Sequence, residues 1–156
     1  MGRIEKSIEI KTSPEKVWEL LALDRHQEWD EQMQKSLKSL EYTSEVHTPA
    51  DKYKVGASAL VNMQGRGMGE IDFEITESLE NENMTIHVRK LGTNQTAGIM
   101  TFNLEPIERG TKFTRIFDYR MPWGIFGKFL DKSFARRMEG KHIENCLDQL
   151  KSILEK

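Results

Sequence analysis

Between residues 70 and 121 the chain alternates apolar and polar side chains in stretch after stretch, and this pattern restricts it to folds built on a half-buried sheet. Ile71, Phe73 and Ile75 alternate with Glu70, Asp72 and Glu74. Met84, Ile86 and Val88 alternate with Thr85, His87 and Arg89, and Met100, Phe102 and Leu104 with Thr101, Asn103 and Glu105. A period of two is the strand period, and one polar face per strand marks an antiparallel sheet with one side in water. Punctuated by glycine, asparagine and proline, the expected strands run over 37–47, 57–64, 68–79, 84–91, 97–105 and 111–121. Ile4, Ile8 and Ile10, set against Arg3, Glu5, Glu9 and Lys11, add a first strand over 3–12. The expectation is seven antiparallel strands.

Two helical regions flank this run of strands. Thr12-Ser13-Pro14-Glu15 supplies a hydroxyl cap, a proline for the first turn and an early acid, which together start a helix. Val17, Trp18, Leu20 and Leu21 form its apolar face, and a second short helix is expected over 24–32 around Trp29. The last 31 residues, 126–156, contain no proline and are rich in helix formers, so they read as one long helix. Its apolar stripe changes phase: Phe126, Phe129, Leu130, Phe134 and Met138 follow one face, and Ile143, Cys146, Leu147, Leu150, Ile153 and Leu154 another. At 100° per residue the switch falls near Gly140, where glycine permits a kink or a close approach to the sheet.

A chain of 156 residues fits a single domain, 1–156, with one core and no need for a disulfide or metal. Charged residues make up 31% with a net charge of −2, and no segment carries the basic excess that nucleic acid binding requires. Cys146 is the only cysteine, so no internal disulfide can form. The opening residues lack the apolar run of a signal peptide, and nothing approaches the roughly 20 apolar residues of a membrane span. The expected location is the cytoplasm.

The order strand, two short helices, six strands, long helix resembles the helix-grip fold of the START-like, polyketide cyclase/dehydrase-like superfamily, an α+β architecture in which the sheet wraps the C-terminal helix. The opening Ile8-x-Ile10-x-x-Ser13-Pro14-Glu15-x-Val17-Trp18-x-Leu20-Leu21 is similar to that family's first strand and helix. Trp29 sits where its second helix often carries an aromatic, and Val55-Gly56 resembles the opening of its third strand. Leu104-Glu105-Pro106 with Gly110-Thr111-x-Phe113-Thr114 resembles its penultimate turn, and 122–127 its lead into the final helix. The resemblance implies a cavity between sheet and helix, used by members for lipids, sterols, polyketides or hormones, and a pocket more than a particular reaction.

Alternation selects the residues that would line such a cavity: Phe73, Ile75, Ile86, Val88, Met100, Phe102, Phe117 and Tyr119 from the strands, Trp29 from the second short helix, and Phe134 and Met138 from the long helix. Arg115 is the one charged residue among them, on the same strand face as Phe113, Phe117 and Tyr119. An inward guanidinium must find an anion, because a buried unpaired charge costs several kcal/mol. That anion is either a ligand carboxylate, phosphate or enolate, or an internal acid such as Glu139 or Glu144; a strand bulge turning Arg115 outward is the third alternative. His26, His47, His87 and His142 are dispersed without HxxxH, HExxH or CxxC spacing, and Asp24, His26, Glu28 and Asp30 would fan apart on a helix, so neither metal nor cofactor is expected. No serine, histidine and acid arrangement identifies catalytic residues. Gly65-Arg66-Gly67-Met68-Gly69 fails the dinucleotide pattern at Glu70 and reads as a hairpin turn.

Three uses of the cavity remain open on these residues. The first is binding or transport of a hydrophobic or amphipathic small molecule. The second is a cyclase- or dehydratase-like reaction, weakened by the lack of a second inward acid or base; the third is a protein-interaction or chaperone-regulator module with a filled core. Trp123, Ile125, Phe126, Phe129, Leu130 and Phe134, interleaved with Lys128, Lys132, Arg136 and Arg137, also have the composition for transient contact with a membrane.

Overall fold

The computed structural model describes residues 2–22, 25, 28–30, 53, 55–56, 58–62, 70–90, 96–119 and 132–155, with backbone alone for 58–62, 70, 90, 119, 132–136, 138 and 139. The elements in chain order are β1 (Gly2–Ile10), α1 (Pro14–Glu19), β2 (Ser58–Asn62), β3 (Glu70–Leu79), β4 (Asn83–Lys90), β5 (Thr96–Ile107), β6 (Gly110–Tyr119) and α2 (Lys132–Leu154). The six described strands form one antiparallel sheet in the order β1-β6-β5-β4-β3-β2. The expected strand over 37–47, the turn at 65–69 and most of the helix over 24–32 lie outside the described residues. β1 is shorter than expected, ending at Ile10, because Thr12 turns the chain by donating its backbone N–H to Ile10 O at 2.8 Å.

Cross-strand register fixes which side chains share a face, since directly opposed residues point the same way. Ile4, Phe117, Met100, Ile86 and Ile75 form one continuous row across β1, β6, β5, β4 and β3. The next row is Lys6, Arg115, Phe102 and Met84. The opposite face carries polar pairs: Arg3 holds Asp118 at 2.7 Å, and the Ser7 and Thr114 hydroxyls are 3.0 Å apart. Binary patterning therefore gives the correct face for every strand whose side chains are described.

The core sits on the concave face, with Ile10, Ile71, Ile75, Met84, Ile86, Phe102 and Phe113 nearly or fully buried. Each such side chain contributes about 1.5–3 kcal/mol relative to exposure. α1 closes one end. Ser13 stands at its N-cap in extended conformation with Pro14 following, but its side chain makes no cap hydrogen bond, contrary to the sequence expectation. The backbone instead carries the turn, Lys16 and Val17 both donating to Ser13 O.

α2 packs along β1 and buries Ile143, Cys146, Leu147 and Leu150, which bears out the second half of the expected stripe. Phe126 to Leu130 lie outside the described residues, as do the side chains of Phe134 and Met138. Gly140 is buried, yet a Cβ there would meet only Lys6 Cε at an ordinary 3.7 Å among the described residues. No described residue approaches this glycine closely enough to require it.

Candidate functional site

Arg115 is on β6 between Phe113 and Phe117, and β6 keeps unbroken register with both β5 and β1, so no bulge turns the side chain outward. It is buried, with 5% exposure. Its acidic partner among the described side chains is Asp30, not Glu144, and the side chain of Glu139 lies outside the described residues: Arg115 Nη1 donates to Asp30 Oδ2 at 3.5 Å. Glu144 instead reaches outward to Lys6 at 2.9 Å. Arg115 Nη2 approaches Met100 Sδ at 3.2 Å, and the guanidinium carbon lies 5.9 Å from the Trp29 ring centre and 5.7 Å from that of Phe102. Cation–π attraction adds to holding the charge there. Arg115 Nε is buried and has no hydrogen-bond partner among the described residues.

Asp30 is brought to this point by Trp29, whose indole N–H donates to Leu20 O at 2.7 Å and whose ring meets Phe102 and Phe113 edge-on, at 5.9 and 6.4 Å. Phe102 and Phe113 stack on each other at 5.7 Å. This aromatic trio ties the segment after α1 to the middle of the sheet, and Asp30 follows directly.

The other oxygen of Asp30, Oδ1, is 3.4 Å from His142 Nε2. His142 Nε2 is in turn 3.5 Å from Cys146 Sγ. Asp30, His142 and Cys146 each present a donor atom within 4.8 Å of the others'. Residues four apart on a helix share a face, so H-x-x-x-C was the sequence signal that could have found this pair; a search for two histidines or two cysteines passes over it. Nδ1 of the same ring is also 3.9 Å from Cys146 Sγ, so the thiol lies along the imidazole edge within reach of both ring nitrogens, while Nε2 alone meets the acid. Cys146 is 1% exposed, an environment that keeps a thiol protonated and out of reach of a substrate.

Of the residues expected to line a cavity, Trp29, Ile75, Ile86, Val88, Met100, Phe102 and Arg115 are buried on the concave side, and Phe73 and Phe117 are half-buried and packed against them. Tyr119 is placed on the same face by its register with Gly2 and Gly98. The side chains of Tyr119, Phe134 and Met138 lie outside the described residues. His87 is on the outer face opposite Glu74. A separate open groove of about 630 Å³ runs between β1 and α2, bordered by Ile4, Lys6, Arg137, Gly140, Lys141 and Glu144.

Residues 1–155 match the sequence profile of the family described as polyketide cyclase / dehydrase and lipid transport. Among solved structures, the chain resembles MLL2253 from Mesorhizobium loti with a TM-score of 0.66 and 18% identity, covering 99% of this chain and 97% of that one. The Aha1 dimer from Colwellia psychrerythraea gives a TM-score of 0.65 and 20% identity over 99% and 97%. DynU16, from the dynemicin biosynthetic locus, gives 0.65 and 14% identity over all of this chain and 48% of that one. At these identities the structural likeness establishes the fold alone. No protein with a curated description matches in sequence.

Proposed function

This chain belongs to the polyketide cyclase / dehydrase and lipid transport family, and from that premise we propose that it binds a hydrophobic or amphipathic small molecule between the concave sheet face and α2. The whole chain acts as one ligand-binding domain in this reading. The observation that carries it is the placement of Arg115 on one strand face between Phe113 and Phe117 and beside Phe102, with its Nε making no hydrogen bond among the described residues. A desolvated donor of that kind gains most from an anionic or carbonyl oxygen on an otherwise apolar ligand. Ligand contacts would come from Trp29, Phe73, Ile75, Ile86, Val88, Met100, Phe102 and Phe117, with Tyr119, Phe134 and Met138 beside them. A single cysteine, Cys146, held outside any disulfide, supports a reducing, cytoplasmic setting. No helix among the described residues is long and apolar enough to cross a membrane. The basic aromatic stretch 123–134, proposed for transient membrane contact, lies mostly outside the described residues.

A second reading, a cyclase- or dehydratase-like reaction, is favoured by one observation: Asp30 bridges Arg115 and His142, which puts an inward acid and an imidazole near the guanidinium. In that role Arg115 would stabilise an enolate and Asp30, backed by His142, would move the proton.

Binding of a fluorescent long-chain carboxylic acid and its methyl ester separates these ideas. Arg115→Met combined with Asp30→Asn keeps the site neutral; it should weaken the acid at least about tenfold and leave the ester little changed. Failure of the wild-type chain to bind either probe, or to retain any apolar ligand in native mass spectrometry, would remove the binding reading in favour of a filled-core interaction module. Loss of both probes alike would mean that Arg115 shapes the pocket without reading charge.

A further inference from the structure

We propose that Asp30, His142 and Cys146 form a site for one transition-metal dication of the zinc type. Their donors are a carboxylate oxygen, an imidazole nitrogen and a sulfur, all within 4.8 Å of one another. A tetrahedral zinc ion has bonds of about 2.0–2.2 Å to nitrogen and oxygen and about 2.3 Å to sulfur, which sets donor–donor edges of roughly 3.3–3.6 Å. The His142 Nε2–Asp30 Oδ1 distance of 3.4 Å and the His142 Nε2–Cys146 Sγ distance of 3.5 Å both fall in that range. These two edges have the required lengths, but Cys146 Sγ is also 3.9 Å from His142 Nδ1, so the sulfur lies beside the imidazole and the ring must turn for Nε2 to face an ion shared with the thiolate.

Donor chemistry narrows the metal. Calcium and magnesium take oxygen ligands, so a nitrogen and a thiolate argue against both. Mixed oxygen, nitrogen and sulfur donors suit zinc and its tetrahedral substitute cobalt.

The scaffold holds the donors independently of the ion. His142 and Cys146 are one turn apart on α2, and Asp30 is fixed by the neighbouring Trp29. The Asp30 and His142 side chains have 8% and 11% exposure and Cys146 is buried, so an ion there would be shielded from competing water.

Charge then dictates the fourth position. Binding replaces the thiol proton of Cys146 with the metal and releases that proton to solvent. Among the described residues the thiolate and the Asp30 carboxylate cancel the dication, and Arg115, held by the far oxygen of Asp30, adds one positive charge. A hydroxide or a ligand carboxylate on the open position restores neutrality, and Arg115 Nε is a donor such an anion can use.

The test is cobalt titration of the full, untagged, metal-free chain in a non-thiol reductant. One Co²⁺ per chain should bind, with a thiolate-to-metal charge-transfer band in the near ultraviolet, tetrahedral bands in the visible, and displacement of both by Zn²⁺. Cys146 is the only cysteine, so a charge-transfer band can arise nowhere else and the wild-type spectrum decides even if a variant misfolds. Cys146→Ser should abolish that band, and His142→Gln should weaken Co²⁺ binding by no less than the ten- to hundredfold typical of losing an outer partner of a metal ligand. Absence of the band in the wild type, or unchanged affinity in His142→Gln with its helical circular dichroism intact, would overturn the site. The fluorescent-acid assay is run on metal-free protein, wild type and variant alike, so the two proposals fail independently.

Discussion

Asp30 Oδ2 is 3.5 Å from Arg115 Nη1, joining two charges 85 residues apart in sequence, with side-chain exposures of 8% and 6%. Removing one member of so enclosed a pair leaves the other charged and desolvated, which costs more than the pair itself contributes. Asp30→Asn should therefore destabilise the chain by on the order of 3 kcal/mol, read as a lower urea midpoint at unchanged slope. Arg115→Met in the Asp30→Asn background should recover part of that loss. Additive losses in the double-mutant cycle would mean that the two groups do not sense each other.

Two glycines predict opposite outcomes for the same substitution. Gly110 has φ +145°, and a Cβ there would run into Ile10 O and crowd Thr12 N, where β6 meets the end of β1. Gly110→Ala should cost several kcal/mol, on the order of 3, by combining backbone strain with collision. Gly140 is inside α2 with room for a methyl group, so Gly140→Ala should stabilise by about 0.5–1 kcal/mol through helix propensity. A loss of stability at Gly140 would point to a packing requirement beyond the described residues.

How much of this was legible in sequence follows from the range of the interactions. The strand faces were legible because alternation is local and the sheet leaves one side in water; Ile71, Ile75, Met84, Ile86, Met100 and Phe102 all fall on the expected side. The inward direction of Arg115 was legible for the same reason. Its partner was not, because Asp30 lies in a segment with no periodicity of its own and is delivered by the tertiary contact of Trp29 with Phe102 and Phe113. Glu144 had the right charge on the long helix, yet it faces the β1 edge and Lys6. The Asp30, His142 and Cys146 cluster joins two distant segments, and only its helical half left a mark on the sequence.

Trp29 is the pivot of that arrangement and should be irreplaceable by phenylalanine. Its indole N–H satisfies Leu20 O in a buried position, and its ring fills the space over Phe102 and Phe113. Trp29→Phe keeps the aromatic face but strands the carbonyl and opens a void, for a cost of about 2 kcal/mol. It should also impair acid-probe binding or cobalt affinity more than Trp18→Phe does, because Trp18 stacks on Tyr53 at 5.8 Å, and Tyr53 meets Glu19 O, away from Arg115. Equal effects of the two substitutions on both readouts would reduce Trp29 to a general core residue.

Asp72 supplies a pH dependence of known sign. Burial raises its pKa above the ordinary carboxylate value and the neighbouring Glu74 raises it further, while Arg89 opposes both only in part. A carboxyl whose folded pKa is raised binds more protons in the native state than in the unfolded state across the window between the two values. Stability attributable to Asp72 therefore falls as pH rises through that window, just above the usual carboxylate range, and the penalty persists at neutral pH. Asp72→Asn removes the ionisation without changing the shape of the side chain. Relative to wild type it should gain stability above the window and gain none below it, measured as unfolding midpoints at constant ionic strength on the acid and neutral sides. Curves that stay parallel across the whole range would show that Asp72 ionises as freely in the folded sheet as in the unfolded chain.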